Sequence, residues 1–244
     1  MKKLVAYILS ILYYLLFGLS LLLFHVLQWL GYHLGKYRGH KMVVDFMNGT
    51  LTYLLYVLGN RVEFINKHEI PKGVPLIIVS NHQGMNDISP ISFFMRKYHP
   101  KFVSKIELGK GIPSVSYNLT HGGSVLIDRK DPRQALGALR DFGKYIEKNK
   151  YTAVIFPEGT RSKDGRPKRF SDNGLKMLTK FAPSAYVVPM TINNCWKINK
   201  NGKLPLGIGL KITFELHEAI PPKSMPFEDL FQKVEETVKN SVVL

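Results

Sequence analysis

A histidine and an aspartate follow a short apolar segment in the first half of the chain. The stretch at 75–91 reads PLIIVSNHQGMNDISPI, which places His82 just after the apolar residues and Asp87 five positions later. On a continuous helix the two side chains would point about 140° apart, so only a turn between them brings them together. Asp87 would then accept a hydrogen bond from one ring nitrogen of His82 and leave the other nitrogen basic. Such a pair can act as a general base on a substrate hydroxyl.

The same two residues also fit a structural pair, a loop histidine and a helix N-cap. Cations that follow other apolar segments favour the chemical interpretation. Lys105 ends one such segment, Arg129 follows a second and Arg161 follows a third. Because the carboxyl ends of parallel strands meet at one edge of a sheet, these three cations could bind a phosphate there.

Short apolar segments alternate with helical patterns from Arg61 onward. Strands are predicted at 62–65, 76–80, 102–104, 124–128, 153–156, 186–192 and 210–216. Helices are predicted at 87–98, 132–149, 172–181 and 226–239. This alternation predicts an α/β fold, a largely parallel central sheet flanked by helices.

The first 60 residues have a different character. An uncharged run from Leu4 to Phe24 is 21 residues long, and about 20 apolar residues suffice for a helix to cross a bilayer. A basic stretch with Lys36, Arg38 and Lys41 separates it from a second helical pattern at 42–58, which has one apolar face. We expect residues 1–60 to form a retained two-helix membrane anchor and residues 61–244 to form the α/β domain.

The charge balance restricts the choice of partners. The chain has 34 Lys and Arg against 18 Asp and Glu, a formal net charge of +16, which favours an anionic partner. Five of the nine residues from Arg161 to Arg169 are basic, which predicts a solvated loop or one that faces anionic lipid or a phosphorylated carrier. No zinc spacing, helix-turn-helix pattern or aromatic RNA motif accompanies the charge, so nucleic acid is disfavoured.

Other reaction classes lack their residues. The sequence has no H-E-x-x-H pattern or other metal-ligand cluster, and no G-x-S-x-G elbow of a serine hydrolase. The single Cys195 excludes an internal disulfide and agrees with a reducing compartment.

Four motifs stand in order along the chain. They are Asn-His-x4-Asp at 81–87, a segment that starts Lys-x-Glu-Leu at 105–108 and ends Ile-Asp-Arg at 127–129, Phe-Pro-Glu-Gly-Thr-Arg-Ser at 156–162, and Val-Pro at 188–189. Together they resemble the motifs of the bacterial type of lysophosphatidic acid acyltransferases, the 1-acyl-sn-glycerol-3-phosphate acyltransferases of the glycerolipid acyltransferase superfamily. The sequence departs from that pattern at Ser116, where the family usually has glycine.

The resemblance implies a reaction. A fatty acyl chain would pass from an acyl-CoA or acyl-ACP thioester to the sn-2 hydroxyl of lysophosphatidic acid, giving phosphatidic acid for phospholipid biosynthesis without an acyl-enzyme. His82 would take the hydroxyl proton and Asp87 would orient His82. The substrate-binding residues would be Lys105, Arg129 and Arg161, on the phosphate, together with Glu158, Gly159 and Thr160.

The resemblance further implies no cofactor and no metal, since the thioester is itself a substrate. The expected partners are membrane phospholipids, lysophosphatidic acid, and acyl-CoA or acyl carrier protein. The expected location is the cytoplasmic membrane with the catalytic domain facing the cytosol, because Lys and Arg favour that side. A sister enzyme that acylates lyso-ornithine lipid or lysocardiolipin, a silent lipid-binding protein, and a membrane anchor for a partner remain alternatives.

Overall fold

The structure, a computed structural model, describes residues 2–244. Its centre is a seven-stranded sheet in the order β1-β7-β6-β2-β5-β3-β4. The strands are β1 (Arg61–Asn66), β2 (Leu76–Ser80), β3 (Pro100–Lys105), β4 (Val125–Ile127), β5 (Thr152–Ile155), β6 (Tyr186–Asn193) and β7 (Lys211–Leu216). All seven were predicted from the sequence to within a few residues.

The sheet is largely parallel, as predicted. Five neighbouring strands, β6, β2, β5, β3 and β4, run in one direction. Strand β7 runs antiparallel to β6, and β1 pairs with β7 in parallel. The carboxyl ends of the five parallel strands therefore meet at one edge of the sheet, which we call the carboxyl edge.

Helices cover both faces of the sheet. They are α1 (Lys2–Leu54), α2 (Ile88–Phe94), α3 (Val115–His121), α4 (Pro132–Asn149), α5 (Asn173–Phe181) and α6 (Phe227–Asn240). Short 3₁₀ turns lie at Leu55–Leu58, Met85–Asp87, Arg96–Tyr98, Ile106–Gly109 and Cys195–Asn199. Helix α3 was not predicted, because its seven residues are too few to show a helical repeat.

Strand β2 shows how the layers are built, since all five of its residues are buried. Leu76 and Ile78 point into a core shared with α1 and α2, whereas Ile77 and Val79 point into a core shared with α4, α5 and α6. Side chains alternate between the two faces of a strand, so an uninterrupted apolar strand must be covered on both faces. The central strand is thereby fixed in a three-layer α/β/α arrangement.

Helix α1 is a hairpin of two helical arms. The backbone leaves helical geometry at Lys36 (φ 48°, ψ −137°), within the basic stretch expected to separate two helices. The arms then run side by side, and Leu21 and Phe24 pack against Met47 and Leu51. We call α1 the hairpin.

Two glycines bring the hairpin arms close together near the turn. A Cβ added to Gly39 would lie 2.2 Å from the carbonyl oxygen of Gly31, so only glycine fits there. A polar contact lies just beyond this crossing, where the His40 Nε2 and Gln28 Oε1 atoms are 3.2 Å apart in a buried position.

The hairpin is long and apolar enough to cross a membrane by length and composition. Its most apolar 18-residue window has a mean hydropathy of 2.2, and 17% of that window is buried. A buried core helix or a signal sequence can also pass this test, but the low burial distinguishes it from a core helix. Large exposed side chains mark its free face: Leu4, Ile8, Ile11, Leu15, Leu19, Leu22, Leu23 and Val26.

Candidate active site

The turn after β2 brings His82 and Asp87 into contact. The His82 Nδ1 and Asp87 Oδ2 atoms are 2.8 Å apart. The same carboxylate oxygen accepts hydrogen bonds from the backbone N–H groups of Gln83 and Gly84, at 2.7 and 2.9 Å. Because the carboxylate oxygen is an acceptor, His82 donates from Nδ1 and its Nε2 keeps a free lone pair. The hydrogen bond expected from the sequence is therefore present, formed through a turn and not along a helix.

The residue before the histidine fixes the end of β2 to β6. The Asn81 side chain donates to the carbonyl oxygen of Ile192 and accepts from its N–H, both at 2.8 Å, in a buried position. An amide can make this paired contact with a backbone because it carries one donor and one acceptor side by side. Asn81 is thus a structural member of the first motif.

The third motif holds the backbone of His82 on both sides. The Glu158 carboxylate accepts the His82 backbone N–H at 2.8 Å, and the Ser162 N–H donates to the His82 carbonyl at 2.7 Å. The Phe156 ring stacks on the imidazole, with centroids 4.2 Å apart and an interplanar angle of 19°. The imidazole is consequently held in backbone and side chain, and its side chain is still 14% exposed.

Glu158 contacts protein groups through both of its oxygens. Besides His82, it accepts the backbone N–H of Lys168 at 3.0 Å. Burial raises the pKa of Glu158, and the two N–H donors and the charges of His82 and Lys168 oppose that rise. The sequence predicted this residue as part of the substrate-binding site, whereas the structure places it against the chain that carries the histidine.

Cys195 lies beneath the turn. The thiol is buried, and a Cβ on Gly84 would lie 3.4 Å from its Sγ atom. Burial, followed by the charge and hydrogen bond of Asp87, raises the pKa of the thiol well above its usual range. The thiolate is therefore disfavoured, and Cys195 is unsuited to act as a nucleophile.

The predicted cations lie at the carboxyl edge with the histidine. Lys105 is the last residue of β3, Arg129 follows β4, and Arg161 follows β5. Arg129 donates from Nη1 to the carbonyl oxygen of Gly159, which joins the second and third motifs. Lys105 and Arg161 are exposed, and within residues 2–244 neither side chain forms an ion pair.

The basic loop after β5 is partly ordered by its own lysine. The Lys168 Nζ atom donates to the Thr160 hydroxyl at 2.7 Å and to the Arg161 carbonyl at 3.2 Å. Lys168 therefore shapes the third-motif loop, a role that the run of basic residues did not reveal. Arg161 keeps its own side chain in solvent.

Two further contacts near the site were not predicted from the sequence. The Tyr13 hydroxyl, on the first arm of the hairpin, donates to Asn86 Oδ1 at 3.0 Å, and Tyr13 is only 1% exposed. The Gln83 side chain accepts the N–H of Cys195 at 2.9 Å. A tyrosine in an otherwise apolar run was the available signal for the first contact, and nothing local signalled the second.

Ser116, the departure from the family pattern, closes the loop after β3. Its hydroxyl accepts from the Ile112 N–H and donates to the Leu108 carbonyl, both at 3.0 Å. The hydroxyl thus supplies contacts that a glycine could not make.

The fold resembles a solved structure over nearly its whole length. The crystal structure of the 1-acyl-sn-glycerophosphate acyltransferase from Thermotoga maritima matches with a TM-score of 0.79 and 24% identity. The match covers 98% of this chain and 95% of that one. At this identity the match establishes the fold.

Sequence relatives carry related names. A 1-acyl-sn-glycerol-3-phosphate acyltransferase from Helicobacter pylori is 36% identical over 126 residues, half of each chain. A protein of the same name from Chlamydomonas reinhardtii is 27% identical over 188 residues, 77% of this chain and 54% of that relative. The chain thus spans about half the length of these curated relatives.

A family model decides the assignment. The model described as Acyltransferase matches residues 61–193, which is more than half of the chain and runs from the first residue of β1 to the last residue of β6. All four motifs lie within it. The chain belongs to the acyltransferase family.

Proposed function

We propose that the protein transfers a fatty acyl chain from an acyl-CoA or acyl-ACP thioester to the sn-2 hydroxyl of 1-acyl-sn-glycerol-3-phosphate, forming phosphatidic acid. The observation that carries the proposal is the 2.8 Å contact between His82 and Asp87 at an edge where three cations collect. The names of the Helicobacter and Chlamydomonas relatives support the choice of acceptor.

In the proposed mechanism His82 Nε2 takes the proton of the sn-2 hydroxyl. Asp87 accepts the Nδ1–H and stabilises the imidazolium that forms. General-base catalysis of this kind typically contributes roughly 10² to 10⁴ in rate. The alkoxide attacks the thioester carbonyl, and the tetrahedral intermediate collapses with loss of the thiolate. The imidazolium then returns its proton to that leaving thiolate, so no protein nucleophile is required.

Phosphate binding is assigned to the exposed cations of the carboxyl edge. Arg161 lies in the same loop as Glu158, whose carboxylate accepts the backbone N–H of His82. The four residues from Glu158 to Arg161 therefore connect the Arg161 guanidinium to the proposed base. An arginine can offer paired donors to a phosphate, and Lys105 adds a point charge. Glu158, Gly159 and Thr160 would then shape the loop that presents Arg161.

The hairpin would keep the domain at a membrane. Its free face carries a row of large apolar side chains, and the proposed lyso-lipid acceptor and its diacyl product reside in bilayers. The excess of basic residues favours the cytoplasmic face of the membrane. Thioester donors are made in the cytosol, on the same side.

The test is acyl transfer by the full chain in detergent, with oleoyl-CoA as donor and 1-oleoyl-glycerol-3-phosphate as acceptor. We expect the wild type to form phosphatidic acid and His82→Ala to lose at least 10²-fold in kcat. The matched control is His68→Ala, which changes an exposed histidine between β1 and β2, away from the carboxyl edge, and should leave the rate unchanged.

A second variant tests the acceptor. Arg161→Ala should raise the KM for the phosphate acceptor about tenfold or more with a smaller change in the KM for the donor. An unchanged acceptor KM would point to a lyso-lipid without this phosphate, and an active His82→Ala enzyme would overturn the mechanism. If oleoyl-CoA gives no product, the same assay with oleoyl-ACP decides between the donors.

A further inference from the structure

A groove lies on the second arm of the hairpin, on the side away from the apolar first arm. This groove, of about 830 Å³, lies between the second arm of the hairpin and the segment that contains α2 and the turn after it. Ligand sites in proteins commonly have volumes of about 300 to 1,000 Å³. None of the residues at the carboxyl edge lines the groove, so it is separate from the candidate active site.

The groove is cationic towards one end. Arg38 and Lys41 come from the first turns of the second arm, and Arg96 comes from the turn after α2. The only carboxylate in the lining is Asp45, which lies 2.5 Å from Lys41 and neutralises it. Within residues 2–244, Arg38 and Arg96 form no ion pair, so two positive charges are left uncompensated.

The other end of the groove is apolar. Phe46 and Tyr53 line it from the second arm and are 66% and 57% exposed, and Phe93 lines it from α2. A Cβ on Gly49 would lie 2.9 Å from the Phe93 ring, so this glycine lets the ring pack against the helix and form the floor. The Arg96 guanidinium lies 4.6 Å from the centroid of the same ring, where the cationic and apolar parts meet.

The length of the groove matches one lipid leaflet. From Arg38 to Tyr53 the second arm rises about 22 Å at 1.5 Å per residue. A leaflet contributes about 15 Å of hydrocarbon, half of a core of about 30 Å, and its headgroup region adds several more. A cationic end and an apolar wall separated by this distance suit a molecule with a phosphate at one end and a hydrocarbon chain at the other.

A buried lysine lies behind the cationic end. Lys101 is 6% exposed and lines a small adjoining cavity of about 30 Å³, which shares Tyr37, Lys41, Asp45 and His99 with the groove. Within residues 2–244 its ammonium group donates no hydrogen bond and forms no ion pair. An anion at the cationic end would thus lie near a buried amine that can take up a proton and supply a third positive charge.

We propose that this groove binds an anionic diacyl phospholipid of the surrounding membrane, with its phosphate at Arg38 and Arg96 and one acyl chain along Phe46 and Tyr53. The charge of the groove selects an anionic headgroup, and its apolar wall selects a lipid over a free phosphate. The site would tie the turn of the hairpin to α2 through a bound lipid.

The experiment uses the full chain, delipidated in a neutral detergent and followed by native mass spectrometry. The probes are dioctanoyl phosphatidylglycerol and the zwitterionic dioctanoyl phosphatidylcholine. We expect the anionic lipid to bind at least tenfold more tightly, and Arg38→Gln/Arg96→Gln to weaken it about 30-fold, on the basis of about 1 kcal/mol for each lost charge. The control Lys148→Gln/Lys233→Gln removes two exposed charges from α4 and α6 and should bind as the wild type does.

Further variants separate this site from others. Phe46→Ser should weaken the binding of the anionic lipid several-fold, because it removes part of the apolar wall and leaves the charge of the groove unchanged. Arg161→Gln, at the candidate active site, should leave this binding intact, so the proposal survives even if the proposed function fails. Arg38→Gln alone changes an exposed side chain, so it tests the loss of one charge with little risk of misfolding.

The proposal is overturned if the two lipids bind equally, or if the double variant retains the wild-type affinity while melting at the wild-type temperature. It is also overturned if Arg161→Gln abolishes the binding, which would place the lipid at the carboxyl edge. Displacement of the lipid by equimolar glycerol-3-phosphate would show that a phosphate alone fills the site, and would exclude the role of the apolar wall.

Discussion

Lys101 should make the folded protein more stable at high pH than at low pH. The residue is 6% exposed, and its Nζ atom lies 4.8 and 5.4 Å from the ring centroids of Tyr37 and Tyr151. Burial, followed by repulsion from Lys41, lowers the pKa of Lys101 from 10.5 to about 7, and Asp45 opposes this shift. We therefore expect Lys101→Met, which keeps the length of the side chain without the charge, to stabilise the delipidated protein.

The magnitude follows from the change in pKa. Below pH 7 both the folded and unfolded states hold the proton, so the folded state carries the whole cost of the buried ammonium. At about 1.36 kcal/mol per pKa unit this cost is about 5 kcal/mol. The two tyrosine rings attract the ammonium and offset about 1 to 2 kcal/mol. Above pH 7 the unfolded chain binds more protons than the folded one, so the cost falls as the pH rises towards 10.5.

The assay is thermal unfolding in detergent, followed by circular dichroism at pH 6.0, 7.5 and 9.5. At pH 6.0 a gain of about 3 kcal/mol should raise the Tm of Lys101→Met by about 6 to 12 °C. At pH 9.5, about one unit below the unfolded-state pKa, about 1.4 kcal/mol should remain, so the Tm difference should fall to about half. The control is Lys97→Met, an exposed lysine in the neighbouring turn, which should show no pH-dependent difference. A Lys101→Met protein that is less stable at pH 6.0, or whose gain is the same at all three pH values, would refute the reasoning.

Three smaller perturbations test other contacts. Gly39→Val should lower the Tm by about 3 to 10 °C, because its Cβ would lie 2.2 Å from the Gly31 carbonyl oxygen and force the hairpin arms apart. Asn81→Ala should destabilise the protein by about 2 to 4 kcal/mol in urea unfolding, since it leaves a buried N–H and C=O of β6 unpaired. Tyr13→Phe should lower kcat about three- to tenfold in the acyl-transfer assay with little change in KM, because it frees Asn86 in the turn that holds His82, the proposed base.

Each of these has a matched control. Gly18→Val places a side chain where nothing lies within 4 Å, so its Tm should stay within about 3 °C of the wild type. Asn149→Ala removes an exposed amide, and Tyr14→Phe removes a hydroxyl bonded to the Lys203 carbonyl, away from the turn. Equal effects in a variant and its control would show that the named contact is not the cause.

The sheet could be predicted because its signals are local. The apolar runs of β2, β5 and β6 are bounded by polar or turn residues, and a doubly covered strand leaves this pattern in the sequence itself. The break of the hairpin at Lys36 could be anticipated in the same way, from a change in charge between two apolar stretches. Helix α3 was not predicted because its seven residues are too few to show a helical repeat of apolar positions.

The site could be predicted in its residue types and only partly in its contacts. His82 and Asp87 are five residues apart, and a single turn decides their geometry. Glu158 lies 76 residues from His82, and nothing in either segment indicates that a carboxylate should bind a backbone N–H there. The contact of Tyr13 with Asn86 spans 73 residues and depends on how the hairpin packs on the domain. Pairings of this kind are set by the assembled layers.

The hydrogen bonds that Glu158 and Ser162 make to the backbone of His82 affect when this segment becomes ordered during synthesis. Strand β2 and the turn are made early in synthesis, but the groups that secure them, on Glu158, Ser162 and Ile192, are made much later. Bringing such distant segments together costs loop-closure entropy, and this cost precedes the stabilisation that their contacts provide. A nascent chain that ends before β5 contains the whole His82 to Asp87 segment without these bonds to later segments. The backbone around His82 is therefore secured only once the segments after β5 and within β6 have joined the sheet.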